Sequence, residues 1–470
     1  MTDVQTSPRL LLVGFHTPIN QAAACRALDR LDDEGRPAPF LGLVSRDNFL
    51  GERVDAWLPD QRGFRDLGFG ASRSWPLPPR RLWERLQPAE AVAMHMMDRT
   101  WRSARAGKKH ESRKRRWLEW VTYAYGFLRA HGVERVLHCN VPHFPFQYAL
   151  FETARAMGLE TRFLMQLQVK DTYLVAPSID ELHEPVGRAL GNGAGDRELE
   201  PRMGEELERR TTRHKPFYMS GKGIPAWTRF YTAQRRFFRG RLRSLPAAAA
   251  YRSARLKSGD PPKDGEPYVY LPLHLQPEAT TLPLGGVYGD QSLVVETLAR
   301  ALPEGWQLVV KENPKQRFDK RSPGFYRRLA SLPSVRLVGR DVSSFDLLES
   351  CRAVATITGS AGWEALCSNK PALVFGKAFY RHATGAAAIA SLADARAALG
   401  AIADGSFPTP TKDDCGRFLA ALQTVTHEGV CDAAYLRDSG RSEEESIETC
   451  TEAVLQGIEG AREPEVALHG

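Results

Sequence analysis

The stretch Val354–Gly376, VATITGSAGWEALCSNKPALVFG, decides the fold. Its β-branched, apolar start, Val354–Ile357, predicts a buried strand. The small residues of Thr358–Gly362 let the backbone turn sharply and come close to a ligand. The helix that begins there offers unsatisfied N–H groups and the positive end of its dipole, which favour a phosphate. Lys370–Gly376 predicts the next strand, so the stretch is a βαβ unit whose predicted phosphate pocket indicates a nucleotide or nucleotide-sugar ligand.

Other patterns place this unit within a two-domain α/β chain. The apolar run Arg9–Phe15, followed by helical spacing as far as Leu31, is typical of the start of a Rossmann-like domain. Val133–Cys139 and Thr161–Gln166 predict further strands of that domain. Residues 181–262 lack strand signals and lead into a linker rich in Pro and Gly. The predicted division is a Rossmann-like domain over residues 1–180, a basic helical insertion and linker over 181–265, a second Rossmann-like domain over 266–391, and C-terminal helices over 392–470.

Length and composition agree with a two-domain globular protein. With 470 residues the chain is too long for one ordinary domain. No apolar run approaches the roughly 18–20 residues of a membrane span, and residues 1–8 lack the apolar core of a secretory signal, so we expect a cytosolic protein. The seven cysteines are scattered without a Cys-x-x-Cys pair, which argues against a zinc knuckle or a disulfide framework.

The positive charge is concentrated in two clusters that interleave with aromatic residues. The net charge is +8 and the sequence pI is about 9.1. Three interpretations are open: solvated helix faces, attraction to an anionic membrane surface or anionic polysaccharide, and nucleic-acid binding. No nucleic-acid-binding motif is recognisable, so we predict no nucleic-acid partner. The clusters are Arg102, Arg105, Lys108, Lys109, Arg113, Lys114, Arg115 and Arg116 beside Trp117 and Trp120, and Arg229, Arg235, Arg236, Arg239, Arg241 and Arg243 among Trp227, Phe230, Tyr231, Phe237 and Phe238.

Three motifs stand out in the second predicted domain. They are PLHLQPEATT at Pro272–Thr281, VKENP at Val310–Pro314, and TGSAGWEAL at Thr358–Leu366 with Lys370-Pro371 and Phe375-Gly376 after it. Together they resemble the bacterial capsule polysaccharide biosynthesis family, whose better-known members transfer Kdo from CMP-Kdo. Asn140–Gln166 is similar to the N-terminal half of such proteins. Many relatives carry Lys-Glu-His-Pro where this chain has Lys-Glu-Asn-Pro at residues 311–314. Asn313, in place of that histidine, can donate a hydrogen bond to a phosphate without becoming cationic.

The resemblance implies the GT-B arrangement, in which two Rossmann-like domains face a cleft. It implies a glycosyltransferase of capsule or other surface polysaccharide synthesis, with CMP-Kdo or a related CMP-sugar as donor and no separate cofactor. Residues 266–391 would hold the nucleotide-sugar. Residues 1–180 and the basic helices would hold a glycan or lipid-linked glycan acceptor. Peripheral contact with the anionic inner face of the cell membrane would fit such an acceptor.

Six residues of the second domain are candidates for nucleotide-sugar binding. Thr358, Gly359 and Ser360 would hold the donor phosphate with backbone N–H and hydroxyl groups, and Glu364 would accept hydrogen bonds from the ribose hydroxyls. The structural alternative is that the small residues only let the helix pack, and that Glu364 interacts with the helix dipole. The other candidates follow the strand Gln307–Val310 at the sheet edge, where Lys311 and Asn313 would contact phosphate or form a solvated turn.

Two side chains are candidates for the catalytic step. Glu278 would attack the anomeric carbon in a retaining transfer, or accept the proton of the acceptor hydroxyl in an inverting one. Its alternative role is to hold a loop by accepting backbone N–H bonds. His143, at the end of a predicted strand, is a candidate base or acceptor ligand, and a lone histidine is more often structural. Further candidates for the cleft are His274, Gln276, Thr280 and His16, and no spacing of Asp and His predicts a metal site.

Two rival functions remain open on the sequence alone. A polyol-phosphate transferase of the teichoic-acid type also joins a CMP-activated group on a two-domain α/β frame, and transfer from a CDP-activated polyol would identify it. A glycan-binding or assembly protein that kept the fold without the chemistry is the rival from a different class. Asn313 in place of histidine is the feature that keeps this second rival open. This rival function predicts that Glu278→Ala has no effect on polysaccharide made in cells.

Overall fold

A computed structural model describes most of the chain as two compact units. The first unit combines Met1–Leu182 with Val425–Gly470, and the second is His183–Thr424. The predicted helix around Trp227–Arg243 and most of the predicted linker lie outside the described residues. The structure describes residues 7–59, 74–100, 110–142, 144–211, 244–258, 262–263, 265–276, 278, 281–432 and 435–459.

The first unit contains a seven-stranded sheet in the order β13-β6-β5-β4-β1-β2-β3. Strands β1 to β5 pair in parallel, whereas β6 and β13 extend the sheet in antiparallel pairings. The order of its parallel part, 3-2-1-4-5, is that of a Rossmann-like sheet, which confirms the predicted fold class. The strands, numbered in chain order, are β1 (Leu10–Val13), β2 (Leu41–Ser45), β3 (Ala56–Pro59), β4 (Arg135–His138), β5 (Glu160–Gln166), β6 (Thr172–Ala176) and β13 (His427–Glu428).

The helices of the first unit begin and end at residues whose chemistry favours those positions. Thr17 accepts a hydrogen bond from the Asn20 N–H at the start of the first helix, and Pro18 follows the cap. The fourth helix ends at Gly158, whose φ of 81° is left-handed and suits glycine. The helices are α1 (Pro18–Asp33), α2 (Arg80–Thr100), α3 (His110–Ala130), α4 (Pro145–Met157), α14 (Leu436–Ser439) and α15 (Glu443–Glu459).

The second unit contains a six-stranded parallel sheet in the order β12-β11-β10-β7-β8-β9. Read from β9, this is the 3-2-1-4-5-6 order of the doubly wound dinucleotide-binding fold. The strands are β7 (Tyr268–Pro272), β8 (Gln307–Lys311), β9 (Val335–Val338), β10 (Ala353–Thr356), β11 (Ala372–Val374) and β12 (Ala386–Ala388). The helices are α5 (Glu184–Gly191), α6 (Pro201–Thr211), α7 over residues 244–258, α8 (Gln291–Ala301), α9 (Pro323–Leu329), α10 (Ser344–Ser350), α11 (Ser360–Cys367), α12 (Leu392–Asp404) and α13 (Lys412–Gln423).

Burial explains why the central strands of the second unit read as continuous apolar runs. Val354 of β10 and Val309 of β8 are fully buried, as expected for a parallel sheet covered by helices on both faces. Side chains on the two faces belong to two separate apolar clusters, with Leu271 and Val310 in one and Tyr270 in the other. The carboxyl ends of β7 and β10 are neighbours at the point where the strand order reverses, and this is where such sheets bind ligands.

The structure divides the C-terminal segment 392–470, which the sequence-based division keeps as one helical region. α12 and α13 belong to the second unit, whereas β13 and α15 belong to the first. The reason is burial: Ile447, Cys450 and Val454 of α15 lie in the same apolar cluster as the residues of α1 and β1. Surface ion pairs between the two helices add to this packing, for instance Arg30 with Glu448 at 2.6 Å.

The described part of the first basic cluster lies on α3 and contacts its own unit. Arg113 donates a hydrogen bond to the Met94 carbonyl at 3.2 Å, and Lys114 pairs with Glu90 on α2. These contacts favour the interpretation of a helix face for the described residues of this cluster. No helix within the described ranges is both long and apolar enough to cross a membrane.

Candidate functional site

The candidate site is formed by loops at the carboxyl ends of β7 and β10. In the parallel pairing of β7 with β10, Val354 lies opposite Tyr270, so the two strands end side by side. The loop after β10 leads directly into α11, whose N-cap is Gly359 with φ −76° and ψ 157°. The first N–H groups of an α-helix have no acceptor within the helix. The predicted βαβ unit is therefore present, with its turn at the edge where such folds bind phosphate.

His274 supports the turn after β10 through hydrogen bonds. Its Nε2 lies 3.0 Å from Thr356 Oγ1 and accepts a hydrogen bond from the Ile357 N–H at 3.2 Å. Thr356 Oγ1 in turn accepts the Gly359 N–H at 3.1 Å. A Cβ on Gly359 would lie only 3.0 Å from the imidazole Cε1, so glycine is needed for this close approach. Burial, and secondarily the nearby Arg321, lower the pKa of His274 to about 4.

The burial of His274 gives it a structural role in the turn, and its predicted place among the residues of the cleft stays a prediction. Because Nε2 accepts an N–H, the neutral imidazole carries its proton on Nδ1. The ring is 9% exposed. At neutral pH it therefore fixes the backbone of the turn, and His274 is a positioning residue.

Tyr380 also supports this turn. Its hydroxyl donates a hydrogen bond to the Gly359 carbonyl. A Cβ on Gly362 would come within 2.4 Å of that hydroxyl, so Gly362 leaves the space in which the tyrosine lies. Tyr380 is fully buried. Packing, which is the structural alternative, therefore explains part of the small-residue pattern. The backbone that the small residues leave at the surface of the turn explains the rest.

Glu364 is held by an arginine from another helix. Its Oε1 accepts a hydrogen bond from Arg210 Nη1 at 3.3 Å, and Arg210 Nε donates to the fully buried Glu206 at 2.7 Å. The Glu364 side chain remains 23% exposed, against 7% for Arg210. Arg210 therefore orients a carboxylate that still has exposed surface, one turn into the helix that follows the candidate phosphate turn. Arg210 gave no signal in the sequence, because nothing in its spacing relates it to residue 364.

Lys311 ends β8 with its side chain buried. Its Nζ donates a hydrogen bond to Ser344 Oγ at 2.7 Å at the start of α10. The lysine is 6% exposed. Its predicted contact with a phosphate stays a prediction, and any such contact competes with Ser344 for the ammonium.

Glu312 next to it forms a buried ion pair that the sequence did not predict. The Glu312 carboxylate is 0% exposed and lies 2.8 Å from Arg321 Nε. It also accepts hydrogen bonds from the Tyr326 hydroxyl at 2.6 Å and from the Asn313 N–H at 2.9 Å. Arg321 Nη2 further donates to the His274 carbonyl at 3.1 Å. The charged motif after β8 is therefore tied to the loop after β7.

Asn313 and Gln276 are both used in loop structure. Asn313 Oδ1 accepts the Lys315 N–H at 2.9 Å, which closes a turn at the strand end. Gln276 accepts hydrogen bonds through Oε1 from Gln291 at 3.0 Å and Arg321 at 3.3 Å. Gln276 thus helps to fix the loop, and its prediction as a cleft residue, like the phosphate contact of Asn313, stays a prediction.

The remaining candidates are placed as follows. Glu278 is half-buried, and its carbonyl accepts the Leu282 N–H at 2.8 Å at the start of a turn, so its side chain stays a catalytic candidate. His143 and Thr280 lie outside the described residues. His16, in the first unit, follows β1 with its Nε2 3.3 Å from Gln147 Nε2.

A match to a known protein family covers the part of the chain that contains most of these loops. Residues 279–398 match the family model of capsule polysaccharide biosynthesis proteins. This range includes Lys311, Asn313 and the segment Thr358–Glu364, and it begins one residue after Glu278. No curated protein matches the chain.

Solved structures similar to this chain include two transferases and an epimerase. They are KpsC, β-Kdo 2,7-transferase, from Thermosulfurimonas dismutans (13% identity, covering 88% of this chain and 99% of that one, TM-score 0.33), KpsC, β-Kdo 2,4-transferase, from the same organism (14%, 63% and 82%, 0.29), and UDP-GlcNAc 2-epimerase from Neisseria meningitidis (10%, 88% and 98%, 0.29). These values are too low to bear on substrate or mechanism. The match to capsule polysaccharide biosynthesis proteins, over residues 279–398, includes the segments of the candidate site that follow β8 and β10.

Proposed function

We propose that this protein is a glycosyltransferase that uses a nucleotide-activated sugar to build capsule or another surface polysaccharide. The observation that supports this most directly is that the family match covers the turn after β10, at the switch point of a 3-2-1-4-5-6 sheet. The proposed donor is CMP-Kdo or a related CMP-sugar, and the proposed acceptor is a glycan or a lipid-linked glycan. The proposed place of action is the cytosol, at the inner face of the membrane where the acceptor is lipid-linked.

In this proposal the second unit holds the donor. The backbone of Gly359 and Ser360 and the N-terminal end of α11 would bind the donor phosphate, since both offer partial positive charge to an anion. Glu364, oriented by Arg210 at 3.3 Å, would accept hydrogen bonds from the ribose hydroxyls. His274 and Tyr380 would keep the turn in place without touching the donor.

The transfer itself breaks the bond between the anomeric carbon and the donor phosphate oxygen. The acceptor hydroxyl oxygen forms the new bond to that carbon, and its proton must go to a base. Glu278 is the proposed carboxylate, as base in an inverting transfer or as nucleophile in a retaining one. Its half-buried position after the loop of His274 supports this assignment, because the carboxylate follows β7 at the edge where the donor would bind.

Nucleotide binding is the first expected result. Thermal unfolding with millimolar CMP, CDP, UMP, UDP, GDP or dTDP should show stabilisation by CMP. A ligand that binds only the folded state stabilises it by about 2.7 kcal/mol at a hundred times its dissociation constant, which gives a measurable shift of Tm. Glu364→Gln should weaken this binding about tenfold or more, since hydrogen bonds to a charged group contribute about 1.5–3 kcal/mol.

The matched control for Glu364→Gln is Glu208→Gln. Glu208 is a glutamate of α6 whose side chain is 63% exposed and pairs with Lys412 on the surface. Its replacement should leave nucleotide binding unchanged. Stabilisation by UDP or GDP in place of CMP would keep a glycosyltransferase and change the donor class. No stabilisation by any of the six nucleotides, with the protein shown to be folded, would contradict the proposed donor site.

Product analysis separates the rival functions. Incubation with CMP-Kdo or CDP-glycerol and a candidate acceptor should give sugar transfer from the first donor under our proposal. Transfer of glycerol phosphate from the second donor would identify a polyol-phosphate transferase. Unchanged polysaccharide in cells that carry Glu278→Ala would favour the non-catalytic glycan-binding or assembly protein.

A further inference from the structure

Two histidines and a glutamate meet in the second unit at a place that no motif indicates. His183 and Glu184 stand at the start of α5, and His382 lies in the loop after β11, about two hundred residues later. One potential ligand atom from each of the three lies within 4.8 Å of the other two. The rings of His183 and His382 stack, with centroids 5.0 Å apart and an interplanar angle of 16°.

The hydrogen bonding of His183 is unusually poor for a buried side chain. The residue is 5% exposed, and its Nδ1 has no hydrogen-bond partner within the described part of the chain. Its Nε2 lies 3.4 Å from Glu184 Oε1, which is longer than a normal hydrogen bond. Buried polar atoms are nearly always paired, so an imidazole with neither nitrogen well satisfied indicates that a partner is missing.

The spacing of these atoms suits a metal ion. Two ligands that each lie about 2.0–2.2 Å from a tetrahedral ion are separated by roughly 3.3–3.6 Å. The 3.4 Å between His183 Nε2 and Glu184 Oε1 falls in this range. His382 is exposed, so its side chain has freedom to move into the third position.

Gly187 gives His382 its place beside the helix. It lies four residues after His183, on the same face of α5. A Cβ at this position would lie 2.8 Å from His382 Cδ2, closer than side chains normally approach. The absence of a side chain at residue 187 therefore brings the third imidazole near the other two groups.

We propose that His183, Glu184 and His382 bind a divalent transition-metal ion such as Zn²⁺. Two imidazoles and one carboxylate are a donor set that zinc uses, with a fourth position left for water or another ligand. The ion would link the loop after β11 to α5. That loop also contains Tyr380, whose hydroxyl bonds the Gly359 carbonyl, so bound metal would also steady the turn after β10.

The charges around the site act in two opposite ways. Lys377 and Arg381 lie close enough to affect the pKa of His183, and their positive charges oppose the binding of a metal cation. Burial and the same two residues lower the pKa of His183 to about 4, which leaves its imidazole neutral, as metal ligation requires, at neutral pH. We therefore expect a single site of moderate affinity.

Isothermal titration of chelator-treated protein with ZnCl₂ tests the proposal. The wild type should bind one equivalent of Zn²⁺. The affinity of His382→Ala for Zn²⁺ should fall by more than about 100-fold, because loss of a residue that only supports a ligand already costs about 10–100-fold. His95→Ala is the matched control, because His95 is an exposed helical histidine of the first unit. Equal binding by the wild type and His382→Ala, or no binding by the wild type, would overturn the proposal.

Two further measurements distinguish the site from cysteine binding and from misfolding. Co²⁺ in place of Zn²⁺ should give the weak visible bands of nitrogen and oxygen ligands. An intense near-ultraviolet band from thiolate ligands would assign the ion to a cysteine and contradict the site. Gly187→Ala keeps all three ligands in a helix that favours alanine, and it should still lower Zn²⁺ affinity because its Cβ displaces His382. These binding results do not depend on whether the donor proposal holds.

Discussion

Replacing Arg321 with methionine is expected to destabilise the protein by about 3–5 kcal/mol, because it leaves the charge of Glu312 buried without a partner. The arginine side chain is 3% exposed and the glutamate 0%, with Nε and Oε2 2.8 Å apart. Methionine fills a similar volume, so the loss of packing is small. Urea denaturation at pH 7 followed by circular dichroism measures the change as a lower midpoint.

Three further variants show whether the buried charge is the cause. Arg328→Ala removes an arginine from the surface of α9, the helix that follows Arg321. Its side chain is 58% exposed, so the change should alter stability by no more than about 0.5 kcal/mol. Tyr326→Phe removes one hydrogen bond to the charged carboxylate of Glu312 and should cost about 1.5–3 kcal/mol. The double variant Arg321→Met with Glu312→Leu should recover part of the loss, since no charge remains buried. A double variant less stable than Arg321→Met would contradict this explanation.

This ion pair changes the interpretation of the Lys-Glu-Asn-Pro motif. The sequence presents these residues as a charged strand end, and a solvated turn or a phosphate contact both fit that pattern. In the structure Glu312 is the central acceptor of a buried network that joins the strand end to the loop after β7, through Arg321 and the His274 carbonyl. The motif therefore has a structural role at Glu312, whatever Lys311 and Asn313 bind.

The fold was predictable where a local pattern is strong. Buried parallel strands give continuous apolar runs, and helices give caps, so Phe146–Met157 with Gly158 is close to the observed helix Pro145–Met157 and its left-handed cap. The role of α15 was not predictable in this way. Its apolar face is visible in the sequence, but which sheet it covers depends on contacts with residues more than 400 positions away, such as Arg26 with Glu444.

The candidate site was predictable only at the level of its turns. The run Thr358–Glu364 predicts its own geometry, because small residues and a following helix are local features. Burial gives His274 its structural role and hydrogen bonds to Gln291 and Arg321 give Gln276 its own, and both depend on residues distant in the sequence. Arg210, Arg321 and His382 act on residues between 9 and about 200 positions away, and no spacing rule connects such pairs.

His274→Gln is expected to make the protein less sensitive to acid. The histidine is buried, with a folded-state pKa of about 4, against about 6.5 in the unfolded chain. Above pH 7 the imidazole is neutral in both states and contributes no pH dependence. As the pH falls from 6.5 toward 4, the unfolded chain binds a proton that the folded protein does not, so stability falls. The loss reaches about 2.5 kcal/mol at pH 4.5.

Glutamine can place an acceptor near the position of Nε2 without titrating, so His274→Gln should keep the bond from the Ile357 N–H. Between pH 7.5 and 4.5 the free energy of unfolding of the variant should therefore fall by about 2.5 kcal/mol less than that of the wild type. Other buried groups, such as His138 with its pKa lowered to about 3 and Glu152 with its pKa raised to about 7 by burial, contribute equally to both proteins and cancel in the difference. His95→Gln, at an exposed site, is the control and should follow the wild type. If the curves of His274→Gln and wild type stay parallel over this range, His274 is protonated in the folded protein, and the neutral imidazole cannot be what holds the turn at Gly359.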